Sequence, residues 1–142
     1  MTAIDDRPPG EVADSAPQDL AAEQAVLGAM MLSRGVVPDV AGIVKPEDFY
    51  LPAHETVFRA ILDLEAAGSP TDTIAVSDEL DKRKSLASVG GRLYVFTLFE
   101  SCLTASNATY YAGIVAEHAS NRRLIAAGTR MVQLGRGAEG GD

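Results

Sequence analysis

The feature that most constrains this chain is one uninterrupted stretch near its C-terminal end, Asn107 to Leu134. It holds no proline, and its only glycines are Gly113 and Gly128. Such a stretch predicts a single helix, with Ser106 or Asn107 able to cap its start and Gly135 and Gly137 able to end it. About 28 residues at ~1.5 Å each give roughly 42 Å. A head of about 100 residues has a radius of gyration near ~13 Å and a diameter of roughly 34 Å. The helix is longer than the body beneath it, so part of it is expected to project.

The side chains along this helix sort into a stripe. Tyr111, Ile114, His118, Asn121, Ile125, Gly128 and Val132 follow a spacing of three and four, flanked by Leu124 and Met131. The stripe is apolar at both ends and polar in the middle, where Asn121 sits beside Arg122 and Arg123. A helix packed wholly on its own domain is the simpler reading. The sharper one is a distal half that needs a partner helix, from elsewhere in the chain or from another subunit. The sequence runs only eight residues past Leu134, so the expectation is self-association through the stripe.

The rest of the chain fits one all-α domain. Its 142 residues are 46% hydrophobic and 23% charged, a globular composition with room for an ordinary small core. Residues 1–16 are acidic and proline-bearing and predict a disordered leader. A helical head is expected over 17–103, the long helix over 104–134, and a flexible glycine-rich tail over 135–142. Asp19 is placed to cap the first helix, whose inner face carries Val26, Leu27, Met30 and Met31. Val37, Val40 and Ile43 are expected to face inward before Pro46 breaks the chain. Pro46 to Tyr50 predicts one helical turn that inserts Phe49. Pro52 suits the first turn of a strong helix with Val57, Phe58, Ile61 and Leu62 inside and Gly68 at its end. Pro70 and Asp72 lead into a helix that turns Val76 and Leu80 inward. Lys84 to Gly91 is expected to be a connector, and Arg92 to Leu103 a helix buried on most sides. The expected head core is Val26, Leu27, Met30, Phe49, Val57, Phe58, Ile61, Leu80, Leu93, Phe96 and Phe99.

Charge and chemistry narrow the function. The formal net charge is −8, whereas a nucleic-acid backbone demands basic residues that displace counterions. The only basic cluster, Lys82-Arg83-Lys84, is flanked by Asp81. Tight DNA binding by this chain alone is therefore not expected. No run is long enough to span a bilayer, the N-terminus lacks a signal pattern, and Cys102 is the only cysteine. A cytoplasmic protein with no membrane partner is the expectation. There is no phosphate loop of the form GxxxxGK(S/T) and no GxSxG elbow. His54 and His118 stand apart from any metal-ligand spacing. His54 is expected to cap or line the surface near the start of its helix, His118 to pack or sit at an interface, and Cys102 to be a small core residue. No catalytic, metal-binding or cofactor-binding residues are expected.

Read together, the motifs carry a resemblance. They are Pro17-Gln18-Asp19 with Ala22-Glu23-Gln24-Ala25-Val26-Leu27-Gly28, and Asp48-Phe49-Tyr50 with His54. Gly68-x-Pro70 with Asp72 follows, then Val89-Gly90-Gly91 with Tyr94. The last set is Thr104-x-x-Asn107, Tyr111-Ala112-x-Ile114-Val115-x-Glu117 and Arg123-Leu124. In this order and spacing the chain, from Pro17 to Leu134, resembles the N-terminal domain of bacterial, actinobacterial-like DnaB-type replicative DNA helicases. It departs from them at Leu103, where the family usually has proline. It also lacks the second arm of the family's helical hairpin and the RecA-like domain with its phosphate loop. The resemblance implies an all-α head with a protruding helix, and a non-catalytic role in oligomerisation and partner recruitment. Its implied partners are further copies of itself (a dimer, or a trimer of dimers in a hexameric collar), primase and the RecA-like helicase domain. ATP and Mg are implied only for that absent domain. A stand-alone helical adaptor or inhibitor that associates with a replicative helicase or primase is the alternative.

Overall fold

The computed structural model describes residues 16–139. The expected leader falls outside the described residues except for Ala16, as do residues 140–142 of the expected tail. Helix α1, Leu20–Leu32, runs through the middle of the head. The Asp19 carboxylate accepts the Ala22 N–H at 3.0 Å and so satisfies a free donor of the first turn. Ala22, Val26, Leu27, Ala29, Met30 and Met31 are all buried, on several sides of the helix. That is possible because other helices surround it, as a helix without a polar face requires.

A 3-10 turn at Arg34–Val36 leads into α2, Val37–Ala41, which buries Val37 and Val40. Ile43, expected inside, is 39% exposed, and Val44 is buried instead. The helix ends at Ala41, so the helical period no longer decides which of the following residues turns inward. A second 3-10 turn, Pro46–Asp48, is closed by the Lys45 N–H donating to Asp48 Oδ2 at 2.9 Å. It delivers Phe49 to the core, its ring centroid 4.8 Å from that of Phe58. Helix α3, Pro52–Ala66, buries Val57, Phe58, Ala60 and Ile61, with Leu62 half-buried. Helix α4, Thr73–Lys82, is capped by Asp72, which accepts from Ala75 N–H at 2.9 Å, and it buries Val76 and Leu80. The stretch expected as a connector contains a short helix, α5, Leu86–Val89.

Helix α6, Gly91–Glu100, follows Gly90, whose φ is +115°. A Cβ at Gly90 would stand 2.8 Å from Cβ of Tyr94, so glycine is required there for both conformation and space. The orientation of α6 corrects the expected core. Leu93 is 77% exposed and Phe96 45% exposed, while Val95 and Leu98 are fully buried and Phe99 is half-buried. The segment is apolar nearly all round, so periodicity does not select its inner face. Its close approach to α1 does. A Cβ on Gly28 would collide with the Leu98 carbonyl oxygen and lie 2.8 Å from Cys102 Cβ. Val26, Leu27, Met30, Phe49, Val57, Phe58, Ile61 and Leu80 are buried.

The chain then reverses through Cys102 and Leu103. Thr104, rather than Ser106 or Asn107, supplies the cap: its hydroxyl accepts from Ser106 N–H at 3.2 Å and opens a 3-10 turn, Ala105–Asn107. Helix α7 follows over Ala108–Glu139, 32 residues. Gly135 and Gly137 do not end it. A glycine costs a helix only about 1 kcal/mol relative to alanine, and it terminates one only where the chain turns left-handed. Among the described residues all regular structure is helical.

Candidate interaction surface on the projecting helix

The first half of α7 lies on the head. Ala108, Ala112, Val115 and Ala119 are buried at spacings of four, three and four, and α7 packs along α1. The small side chains bring the two helices close. Tyr111 and Ile114, expected on the self-association stripe, pack partly against the head core, and His118 is half-buried. Asn121 is exposed. At the rim of the head stand two arginines. Arg122 donates to the carbonyl oxygens of Pro17 and Asp48, both at 2.7 Å, and its guanidinium carbon lies 5.4 Å from the centroid of the Tyr50 ring. Arg123 pairs with Asp48 Oδ1 at 2.9 Å.

Beyond this point the helix has left the head. Every residue from Arg123 to Arg136 is exposed. The stretch from Arg123 to the helix end spans about 25 Å at ~1.5 Å per residue. It presents Leu124 (72% exposed), Ile125 (54%), Met131 (71%), Val132 (56%) and Leu134 (71%). They fall on two adjacent seams, Leu124–Ala127–Met131–Leu134 and Ile125–Gly128–Val132, each spaced as a helix in a bundle spaces its contacts. Of the seven expected stripe residues, only Ile125, Gly128 and Val132 lie on this free arm. Sequence periodicity found the stripe and its flank, Leu124 and Met131, but not Ala127 and Leu134, which complete the second seam.

Inside the head, several of the motif residues converge. Glu23 Oε1 lies 2.7 Å from His54 Nδ1, and Glu23 Oε2 accepts the Tyr50 N–H at 2.6 Å. The other ring nitrogen of His54 lies 2.7 Å from the Tyr94 hydroxyl, which also accepts from Gln24 Nε2 at 3.3 Å. Glu23 and His54 are buried, which corrects the expectation of a capping or surface role for His54. A neutral imidazole satisfies both partners: Nδ1–H donates to the carboxylate and Nε2 accepts from the phenol. Its centre, Glu23 and His54, is closed to solvent, and the node ties together α1, α3, α6 and the turn before α3, which is a structural task. The signal for it was a glutamate within an otherwise apolar helix face, facing a histidine and a tyrosine far away in sequence.

The remaining cleft of note, about 230 Å³, is lined by Ala25, Ser101, Cys102, Leu103, Thr104, Asn107 and Tyr111. It gathers no pair of titratable groups suited to acid–base chemistry. Cys102, expected in a helix core, sits half-buried just past the end of α6, and burial pushes its thiol pKa up, away from the reactive thiolate. Among the described residues no group of three or more His, Cys, Asp or Glu could hold a metal ion. Nor is any single helix there long and apolar enough to cross a membrane.

The model of the DnaB-like helicase N terminal domain matches residues 15–117. The chain is 52% identical to the replicative DNA helicase DnaB of Mycobacterium leprae, over 99% of this chain and 24% of that protein. It is 53% identical to that of Leifsonia xyli, over 87% of this chain and 27% of that protein. It thus spans about a quarter of the length of these curated relatives. The crystal structure of the N-terminal domain of DnaB helicase from Mycobacterium tuberculosis matches with a TM-score of 0.84 at 53% identity, covering 86% of this chain and 85% of that one. The N-terminal domain of DnaB helicase from Helicobacter pylori matches with a TM-score of 0.71 at 20% identity, which shows the shared fold. With its helical head, its projecting helix and a family match over most of its length, the chain belongs to the DnaB-like helicase N-terminal domain family.

Proposed function

We propose that this chain is the non-catalytic assembly and partner-recruitment domain of a bacterial replicative helicase, acting in DNA replication in the cytoplasm. The observation that carries the reading is the free arm of α7. Its two apolar seams are exposed beyond a joint that holds the first half of the same helix on the head. Isolated exposed apolar residues are common, but two adjacent seams on one projecting helix call for a cover. Pairing of arms between copies supplies it, and repeated pairing would build a collar of dimers on a hexamer. ATP hydrolysis and strand contact belong to a RecA-like domain, since this chain has no phosphate loop. Primase is the proposed recruited partner, a reading supported by the Helicobacter pylori relative, whose structure was described together with its interactions with primase.

Light scattering across a concentration series tests the arm. The chain should self-associate with a dissociation constant in the micromolar range or weaker, near ~8 kcal/mol or less. Ile125→Asp places an unpaired carboxylate in the contact and should leave a monomer whose head melts as the parent does. A parent chain that stays monomeric at high concentration would remove the basis for the proposal.

A further inference from the structure

We propose that Arg122, Arg123 and the Pro46–Tyr50 turn form a latch that fixes the direction of the projecting arm relative to the head. The apolar part of the joint is a row of small side chains, Ala108, Ala112, Val115 and Ala119, flanked by the partly buried Tyr111, Ile114 and Ala116. Among the described residues these apolar contacts end at Ala119, so the helix beyond it has no apolar seat to restrain its tilt. The lateral restraint comes from the rim. Arg122 reaches two backbone carbonyls, of Pro17 and Asp48, and lies over the Tyr50 ring, while Arg123 holds the Asp48 carboxylate. The geometry is that of a fork closing on fixed points, since guanidinium donors are rigid and planar.

The points it grips are themselves held. Asp48 is nearly buried, and its second carboxylate oxygen closes its own turn through the Lys45 N–H. The Tyr50 N–H donates to Glu23 in the buried node. The direction of the arm is therefore tied, through one five-residue turn, to the hydrogen bonds that join α1, α3 and α6. His118, one helical turn before Arg122, buries its Nδ1 without a hydrogen-bond partner among the described residues, so the latched position leaves a polar group that another arm position could satisfy. The leverage is large. Over a free length of about 25 Å, a tilt of ~10° displaces the tip by ~4 Å, about three-quarters of a helical turn. The latch holds whatever covers the arm, and does not depend on the oligomeric reading above.

The test is a distance distribution between spin labels on the head and on the arm. The chain carries Cys102→Ser with labels at Ala87→Cys and Gln133→Cys, both exposed positions outside the latch. Excess unlabelled chain dilutes it, so that only distances within one molecule are read. The parent should give one narrow distribution. Arg122→Gln with Arg123→Gln should shift its mean by ~4 Å or at least double its width, with the unfolding midpoint of the head retained. Should the double variant unfold, Arg123→Gln alone loosens only the Asp48 contact and should still broaden the distribution. Arg123→Lys should restore part of the narrowness, because it keeps the charge opposite Asp48. A distribution unchanged in the arginine variants, or one already broad in the parent, would overturn the latch.

Discussion

The buried node can be taken apart by a double-mutant cycle. His54→Leu removes the partner of Glu23 Oε1 and leaves a buried carboxylate with only the Tyr50 N–H, at 2.6 Å, on its other oxygen. Leaving a buried acceptor without its donor costs about 1–3 kcal/mol, and more when that acceptor is a charged carboxylate. That is a large share of a domain stability of about 5–15 kcal/mol. Adding Glu23→Met to His54→Leu removes the stranded charge. What remains is a Tyr50 N–H without an acceptor, at about 1–3 kcal/mol. In both variants the Tyr94 hydroxyl still accepts from Gln24 but its O–H loses the His54 acceptor, a loss that cancels between them. The double variant should thus be no less stable than His54→Leu alone, with a coupling energy of ~2 kcal/mol or more between the two sites. Urea unfolding followed by circular dichroism at one temperature measures all four corners. If the two single losses simply add in the double variant, or if His54→Leu costs under ~1 kcal/mol, the node does not hold the head together as argued.

Three further substitutions separate core from surface and test a backbone position, and a binding measurement tests the charge. Phe58→Ala should cost roughly 3–5 kcal/mol in urea unfolding, because Phe58 is fully buried. Phe96→Ala, on the half-exposed face of α6, should cost ~1 kcal/mol or less; equal losses would show that α6 packs in the other orientation. Lys84 is the one non-glycine residue with positive φ among the described residues, at 62°. Lys84→Gly should raise stability by up to ~1 kcal/mol, read as a higher urea midpoint, and a lower midpoint would contradict the conformational argument. DNA binding, followed by fluorescence anisotropy with single- and double-stranded oligonucleotides, should be weak and vanish at moderate salt. Sub-micromolar affinity at physiological salt would contradict the argument from net charge.

Much of this architecture was legible in the residues because it rests on local physics. Asp19 and Asp72 cap the helices that follow them, since a short acidic side chain before a helical run has free amides to accept. Pro46 and Pro52 open helical turns, and Phe49, Val57, Phe58 and Ile61 turn inward where a polar opposite face leaves no choice. A long α7 followed from an uninterrupted run, although its C-terminal end at Glu139 did not, and that run made projection a matter of arithmetic. The ordered motifs also pointed to the family, although not to what their polar members do.

Other features were decided only by the tertiary structure. Leu93 and Phe96 face outward because α6 is apolar on every side and takes its orientation from backbone contact with α1 at Gly28. His54 is buried because its partners Glu23 and Tyr94 lie 31 and 40 residues away in sequence, and a polar side chain goes inside only where such partners meet it. The helical stripe from Tyr111 to Val132 has one period throughout. Its division into a seated half and a free half is set by where the head ends, at Arg122, and by Asp48, which stands there to hold it. Periodicity is a property of the helix alone. Burial depends on what the rest of the chain brings to it.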